Sequence, residues 1–245
     1  MPKFHRRLSE TSNIIDFIKN KSNKKKVLDF KNKKVLVTAG PTIEAIDEVR
    51  YISNHSSGKQ GYLIAEEFAK HGAEVILVSG PVSLKPPNKV NLYNVSTADE
   101  MLEICSKCLP VDIAVFVAAV ADWKVEKQYP GKIKKKNNSM TLNFEKNPDI
   151  LQYISNHKMR PNLVVGFSAE TEKIEENSRK KLIQKGCDWI LGNVVGKKTD
   201  VFGSDNNQIV FISEKNIEKW PKLYKSEVAV KLLGKVRKHF KNYND

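Results

Sequence analysis

The sequence has few of the residues that would tie it to an oxidising compartment or to a membrane. Its 245 residues include only three cysteines, a sparse and odd count that favours a reducing compartment without a disulfide framework. No apolar run approaches the roughly 18 residues of a membrane span. The first residues are charged and lack the apolar segment of a secretory signal. We therefore expect a cytoplasmic protein that does not enter a membrane.

The common nucleotide-binding and catalytic motifs are missing as well. There is no G-x-G-x-x-G and no G-x-x-x-x-G-K-[ST], and the second predicted strand ends at Ser79-Gly80 rather than at an acidic residue. Both absences count against a nicotinamide-dependent oxidoreductase, which is one alternative reading. Cys105 and Cys108 have zinc-like spacing but no second pair, Cys187 is distant, and the histidines do not cluster. Core roles are therefore expected for the thiols rather than metal or redox chemistry.

Acidic residues are in the minority. Lys and Arg total 42 against 28 for Asp and Glu, which gives a net charge of +14. Such a balance attracts nucleic acid, anionic membranes or phosphorylated small molecules. The excess is mostly lysine without interleaved aromatics, unlike base-stacking proteins. A nucleic-acid-binding module remains the non-enzymatic alternative, and much of the charge can simply lie on solvated faces.

The pattern of the chain is one of alternating strands and helices, and it predicts an α/β fold. Predicted strands are 35–38, 75–79, 91–95, 112–117, 163–167, 189–191 and 208–212; predicted helices are 61–71, 97–109, 175–185 and 226–239. Thr97 and Glu100 form a predicted capping box. This alternation indicates a doubly wound, mostly parallel sheet with helices on both faces. Residues 132–144 are predicted to form a lysine-rich loop and a hairpin excursion, with a helix starting at Asn147.

Several residues are candidates for anion binding. Ser56, Ser57 and Gly58 precede a predicted helix, where free N–H groups and hydroxyls can hold a phosphate, although simple helix capping is the plainer alternative. Lys181 and Lys185 are spaced to share one helix face. The loops after the first and fourth strands, 38–42 and 119–123, lie at carboxyl ends, where doubly wound sheets bind ligands. We therefore expect a binding site at that edge of the sheet.

Ordered motifs across residues 34–235 resemble bacterial phosphopantothenoylcysteine synthetase, also called phosphopantothenate–cysteine ligase. The motifs are TAGPT at 38–42, ID-x-VRYISNHSSGK at 46–59, VSGPV at 78–82, residues 118–123, K-x-KK at 132–135, NPDIL at 147–151, VGFSAET at 165–171 and 202–207. Residues 6–18 are similar to the tail of the flavin-dependent decarboxylase half that precedes this ligase in bacteria. We therefore expect an N-terminal appendage at 1–33 and a ligase domain at 34–245.

The resemblance implies a Rossmann-like homodimer that joins 4′-phosphopantothenate to L-cysteine in coenzyme A biosynthesis. The acid would attack the α-phosphate of CTP to give an acyl-cytidylate and pyrophosphate, and the cysteine amine would then displace CMP. The lysine loop is typical of the CTP-dependent form. Mg²⁺ or Mn²⁺ would assist, with no ligands assigned, and no FMN is expected in this chain. The expected partners are the three substrates and a decarboxylase in a separate chain, but neither nucleic acid nor a membrane.

The family's functional positions carry over to named residues. Asn54 matches the asparagine that handles the acyl intermediate, and Lys132 matches the lysine needed to form it. The positions that match CTP contacts are Asp122, Lys132, Pro148, Asp149, Ile150, Leu151, Phe167, Lys181 and Lys185. Gly40, Ser56, Ser57 and Gly58 are the other predicted cofactor-site residues. Ser168 and Gly192 are small departures from the family's pattern.

Overall fold

A computed structural model describes residues 29–134, 139–194 and 205–241. Its strands are β1 Lys34–Ala39, β2 Ile43–Ala45, β3 Tyr51–Ser53, β4 Glu74–Ser79, β5 Val90–Asn94, β6 Ile113–Phe116, β7 Trp123–Val125, β8 Phe144–Lys146, β9 Leu163–Glu170, β10 Trp189–Val194, β11 Asn206–Ser213 and β12 Ile217–Tyr224. Its helices are α1 Lys59–Lys70, α2 Ala98–Lys107, α3 Ile150–Ser155, α4 Ile174–Lys185 and α5 Lys225–Lys241.

Eight strands form one sheet in the order β12-β11-β10-β9-β6-β1-β4-β5. The six strands from β10 to β5 run parallel, whereas β11 and β12 are antiparallel additions at one edge. The central strands are short apolar runs that are buried on both faces, as parallel strands covered by helices must be. The predicted doubly wound, mostly parallel sheet is confirmed.

The helices divide between the two faces of the sheet. On one face, α1 packs against α5 and β1, and Phe68, Leu232 and Val37 belong to a shared core cluster. On the other face, α3 contacts both α2 and α4, and the core there includes Met101 and Ile154. Alternate residues of β1 supply both clusters because successive side chains of a strand point to opposite faces.

The local predictions were mostly right, and the errors lie in the small sheets. Thr97 and Glu100 form the expected capping box. The hairpin strand predicted at 141–144 is shifted: β8 begins at Phe144 and pairs with an unpredicted β7. The helix expected from Asn147 begins at Ile150, with Asp149 as its N-cap. Besides β7, the β2–β3 hairpin and the edge strand β12 went unpredicted.

β12 escaped prediction because Pro221 interrupts its sequence. A proline inside a run counts against a strand unless the strand lies at an edge, where its missing N–H leaves no ladder bond unmade. The sheet order shows that β12 is such an edge strand. Position in the sheet, which local sequence does not give, therefore decided the outcome.

The N-terminal boundary stays a prediction, and residues 1–28 lie outside the described part of the chain together with 135–138, 195–204 and 242–245. Residues just before the expected boundary do contact the domain. Phe30 is 2% exposed and packs edge-on against Phe68, with ring centroids 5.2 Å apart. Asp29 pairs with Arg237 in α5. Among the described helices, none has the length and apolarity needed to cross a membrane.

Candidate active site

A cavity of about 1140 Å³ opens at the carboxyl ends of the parallel strands. Its walls come from the segments that follow β1 and β6, from the ends of β9 and β10, and from the first turns of α1, α3 and α5. This is the edge of the sheet at which the sequence predicts a binding site. All predicted site residues except Gly40 and Lys132 line the cavity, namely Asn54, Ser56, Ser57, Gly58, Asp122, Pro148, Asp149, Ile150, Leu151, Phe167, Lys181 and Lys185.

Threonine hydroxyls join the loops that follow β1 and β6. The Thr38 hydroxyl accepts hydrogen bonds from the N–H groups of Val117 and Ala118 at 3.1 and 3.3 Å. The Thr42 hydroxyl accepts from the Ala121 N–H at 2.9 Å. Both threonines are buried. The loop after β6, which ends at Asp122, is therefore fixed by the loop after β1.

The segment before α1 is shaped by glycines at close approaches. Gly58, the N-cap of α1, has φ of 72°, in the left-handed region that favours glycine. A Cβ on Gly58 would come within 3.3 Å of the Gly40 nitrogen, so Gly40 supports this segment from behind instead of lining the cavity. A Cβ on Gly61 would come 2.6 Å from the Ala39 Cβ. Glycine at 61 therefore allows the start of α1 to lie directly against β1.

Asn54 spans two of the cavity's loops. Its Nδ2 donates to the carbonyls of Ala119 and Val120 at 3.1 and 3.2 Å. Since these bonds engage the amide nitrogen, donation to a substrate oxygen would require Asn54 to exchange one of the carbonyls. The side-chain oxygen of Asn54, Oδ1, can accept a hydrogen bond from a substrate without any such exchange.

Lys181 and Lys185 lie one turn apart on α4, as their spacing predicts, and each has an acidic partner. The Lys181 ammonium is 2.8 Å from a carboxylate oxygen of Glu170, at the end of β9. Lys185 pairs with Asp149, which also accepts from the Gln152 N–H at 3.0 Å as the N-cap of α3. The cations on this wall are therefore partly neutralised by carboxylates from neighbouring elements.

Asp122 stands at the rim of the cavity with an exposed side chain. Its carbonyl accepts from the Asn147 N–H at 3.0 Å, and the Asn147 Nδ2 donates to the Ala121 carbonyl at 2.8 Å. These bonds join the end of the β6 loop to residues 147–151, the predicted nucleotide-binding segment. The Asp122 carboxylate and this segment therefore face one cavity from adjacent loops.

Lys132 lies outside the cavity wall and is exposed. The residue after it, Ile133, is held through its backbone: its N–H donates to the Asp47 carboxylate at 3.0 Å, and its carbonyl accepts from Arg50 at 3.1 Å. The Asp47 side chain is fully buried and accepts from the Val49 N–H at 2.9 Å. The paired Arg50 guanidinium, together with these N–H bonds, holds the pKa of Asp47 well below its usual range.

Sequence reasoning left several polar residues of the cavity wall out of the predicted site, among them Lys59, Asn193, Asn207 and Lys225. Lys59 lies within a motif quoted above, and its position directly after Gly58 was a usable signal. Asn207 and Lys225 are 3% and 7% exposed. Asn207 ends the 202–207 motif quoted above, which was likewise a usable signal. Nothing local distinguishes Lys225 from a surface residue, because elements distant in the sequence bury it.

The described residues contain no group of three or more His, Cys, Asp or Glu side chains that could hold a metal ion. Asp122 and Asp149 offer single carboxylates to the cavity. Such a donor set suits a Mg²⁺ ion that takes most of its ligands from phosphate and water, rather than a cation caged by protein. Burial raises the pKa of Cys187 to about 12 and also raises the pKa of the Cys105 thiol. Both thiols are buried, as the predicted core roles require, whereas Cys108 is only half-buried.

Comparison with known families gives a match over most of the chain. A model of the DFP family, described as the DNA/pantothenate metabolism flavoprotein C-terminal domain, matches residues 30–240. The chain is 39% identical over 230 residues to the coenzyme A biosynthesis bifunctional protein CoaBC of Borreliella burgdorferi, covering 93% of this chain and 57% of that protein. It is 45% identical over 187 residues to the CoaBC of Escherichia coli K12, covering 75% of this chain and 46% of that protein. The chain thus spans about half the length of these relatives.

A solved structure agrees with the sequence match. The crystal structure of the C-terminal domain of a CoaBC protein superposes with a TM-score of 0.74 at 35% identity, covering 87% of this chain and 98% of that domain. A mutant of Cab2 in complex with phosphopantothenate-cysteine superposes with a TM-score of 0.70 at 20% identity, covering 96% of this chain and 94% of that one. At that identity the second likeness concerns the fold alone.

Proposed function

The chain belongs to the family of DNA/pantothenate metabolism flavoprotein C-terminal domains, and from that premise we propose that it is a phosphopantothenate–cysteine ligase. One observation carries the proposal: all of the matched functional positions except Lys132, from five separate segments of the sequence, line one cavity. The relatives' shared name places them in coenzyme A biosynthesis. This chain covers only about half the length of its bifunctional relatives, so the proposal concerns the ligase step alone.

The proposed reaction has two steps. The carboxylate of 4′-phosphopantothenate attacks the α-phosphorus of CTP, and the bond to the β-phosphate breaks to release pyrophosphate. The amine of cysteine then attacks the acyl carbon of the acyl-cytidylate, loses a proton and expels CMP. The amide bond of 4′-phosphopantothenoyl-L-cysteine forms in this second step. Mg²⁺, when bound with the triphosphate, would neutralise phosphate charge.

The residues of the cavity have distinct proposed roles. Residues 148–151 and Phe167 hold the nucleoside, and Lys181 and Lys185 contact its phosphates after releasing Glu170 and Asp149. Asn54 exchanges a loop carbonyl for the substrate and stabilises negative charge at the acyl centre. Lys132 enters from its anchored loop to assist attack at the α-phosphate. In support, Lys132 lies next to Ile133, whose backbone position is fixed by Asp47.

We also propose that the ligase works as a homodimer. The two small sheets carry large apolar side chains that are exposed in the single chain: Tyr51 at 58%, Trp123 at 48% and Phe144 at 46%. β2 also contacts β7, so these sheets are adjacent. Sedimentation equilibrium of the active protein tests this proposal, and an active monomer would contradict it.

The test of the ligase is pyrophosphate release and product mass, measured with 4′-phosphopantothenate, cysteine, Mg²⁺ and either CTP or ATP at fixed salt. We expect release only when nucleotide and acid are both present, and the amide product only when cysteine is added. Asn54→Asp should release pyrophosphate but accumulate the acyl-cytidylate, whereas Lys132→Gln should form little of it. If neither CTP nor ATP supports pyrophosphate release, the proposal is refuted. Release with ATP alone refutes the choice of CTP.

A further inference from the structure

A second pair of lysines reaches the cavity from the opposite face of the sheet to Lys181 and Lys185. Lys59 is the first residue of α1 and Lys225 is the first residue of α5. Both line the cavity. Since α1 and α5 pack against each other on one face and α4 lies on the other, the two pairs approach from different layers.

Lys225 is buried in an unusual electrostatic setting. It is 7% exposed, and no described residue forms an ion pair with its ammonium group. Burial lowers the pKa of Lys225, the nearby charge of Lys59 lowers it further, and Asp205 only partly offsets these effects. Asp205 itself pairs with Lys59. A buried cation without a contacting carboxylate destabilises the fold. An anion that binds beside it in the cavity would offset this cost, so anion binding there is favourable.

Hydrogen bonds hold the surroundings of Lys225 in place. The Gln60 Nε2 donates to the Lys225 carbonyl at 3.0 Å, and the Asn207 Nδ2 donates to the Gln60 Oε1 at 2.8 Å. Asn207 is 3% exposed, and its Oδ1 has no hydrogen-bond partner in the described part of the chain. All three residues line the cavity. This end of the cavity is therefore a built polar site and not a loose surface patch.

The start of α1 adds donors to the same end. Gly58 provides no side chain to cap the helix, and no side-chain cap bond is present. The first N–H groups of a helix have no partners within the helix, and the helix dipole favours an anion beside them. Together with the buried Lys225, for which the described residues provide no ion-pair partner, these groups are complementary to a multiply charged phosphate.

We propose that Lys225 and Lys59, with the first N–H groups of α1, form a subsite for the diphosphate end of a nucleoside triphosphate. This assignment rests on the proposed function, which makes a triphosphate the substrate. Lys181 and Lys185 would then meet the same phosphate chain from the other face of the sheet. The leaving pyrophosphate would remain beside Lys225 until it is released.

The test is calorimetric titration of the full chain with sodium pyrophosphate, CTP and CMP at fixed ionic strength. The variants are Lys225→Met and, as a matched control, Lys222→Met, which removes an exposed charge outside the cavity. We expect Lys225→Met to lower the affinity for pyrophosphate and for CTP by about tenfold or more, and the affinity for CMP by less than about twofold. Lys222→Met should bind all three like the wild type.

Two outcomes would overturn the subsite: binding of pyrophosphate by Lys225→Met that equals the wild type, or a loss of CMP binding as large as the loss of pyrophosphate binding. Because Lys225→Met removes a buried charge, its urea midpoint should not fall below that of the wild type. Should this variant fail to fold, Lys59→Met provides a second test, because the Lys59 side chain is 42% exposed. This variant should lower the affinity for pyrophosphate by about threefold.

The subsite and the ligase can fail separately because binding of pyrophosphate requires no turnover. A chain that makes no ligase product, yet loses pyrophosphate affinity in Lys225→Met, contradicts the proposed function and supports the anion site. A chain with full ligase activity, in which Lys225→Met binds pyrophosphate like the wild type, supports the function and overturns the subsite.

Discussion

The lysines on the two sides of the cavity differ in what neutralises them. On the α4 side, Lys181 and Lys185 each have a carboxylate partner, from Glu170 and Asp149. On the α1 and α5 side, only Lys59 has such a partner, and Lys225 is buried without one in the described part of the chain. An anion must displace carboxylates on the first side, whereas on the second it supplies a missing counter-ion. The α1 side should therefore contribute more of the phosphate affinity.

The largest effect should come from breaking the α1 side alone with Gly61→Ala. The added methyl would lie 2.6 Å from the Ala39 Cβ and 3.0 Å from the Thr38 carbonyl oxygen, so α1 must shift away from β1. We expect a loss of roughly 1–3 kcal/mol in the free energy of unfolding, measured in urea, and weaker pyrophosphate binding.

The matched control is Gly234→Ala in α5, where no described atom apart from the neighbouring residues and the backbone of the same helix lies within 4 Å of the added Cβ. It should stabilise the protein by roughly 0.5–1 kcal/mol because alanine favours a helix interior over glycine. Equal stability changes in the two variants would show that a Cβ at position 61 does not force α1 away from β1.

A second change tests Lys132, which belongs to neither pair of cavity lysines because it lies outside the cavity wall. Asp47→Asn replaces a buried acceptor of the Ile133 N–H with an amide. We expect pyrophosphate release to slow by about tenfold because Lys132 loses its position, while binding of pyrophosphate stays at the wild-type level. A parallel loss of binding and turnover would mean that Asp47 acts on the fold rather than on the loop.

The acid dependence of stability gives Asp47 an independent readout. The pKa of Asp47 is lowered in the folded protein, so its contribution is present above the unfolded value near 4 and is lost as pH falls through the lower folded value. Asp47→Asn should remove this part of the acid sensitivity. An unchanged profile below about pH 4 would count against the buried ion pair.

Glu170→Gln removes a carboxylate from the α4 side of the cavity. The variant frees Lys181 from its competitor and makes the cavity more positive. We expect pyrophosphate to bind about two- to fivefold more tightly, with a steeper dependence on salt, which is opposite in sign to Lys225→Met. Weaker binding by Glu170→Gln would show that Glu170 positions Lys181 more than it competes for it.

The smallest effect should be a pH dependence that belongs to Lys225. Its folded pKa is lowered from 10.5, so between the folded and unfolded pKa values the unfolded chain binds more protons, and stability rises with pH. The urea midpoint of the wild type should therefore gain on that of Lys225→Met as pH approaches about 10. Saturating pyrophosphate should reduce the gain because the bound anion favours the charged lysine. Parallel pH curves for the two proteins would contradict a lowered pKa of Lys225 in the folded protein.

Much of the fold was predictable because its signals are local. Apolar runs placed the buried strands, with Gly-Pro marking the ends of β1 and β4, and the Thr97 capping box placed the start of α2. The site at the carboxyl ends of the strands followed from the parallel order. The two small sheets and β12 were harder, since their strands are short or exposed and depend on partners elsewhere.

The sequence by itself determined the alternation of strands and helices, the family and most of the residues that line the cavity, because each rests on local periodicity or an ordered motif. Tertiary structure alone decided which lysine is buried and which is paired. Gln60 and the carbonyl of Lys225 are 165 residues apart along the chain and 3.0 Å apart in space. Burial and counter-ions are properties of the packed layers around a charge. No local pattern around Lys225 distinguishes it from the exposed lysines elsewhere in the chain.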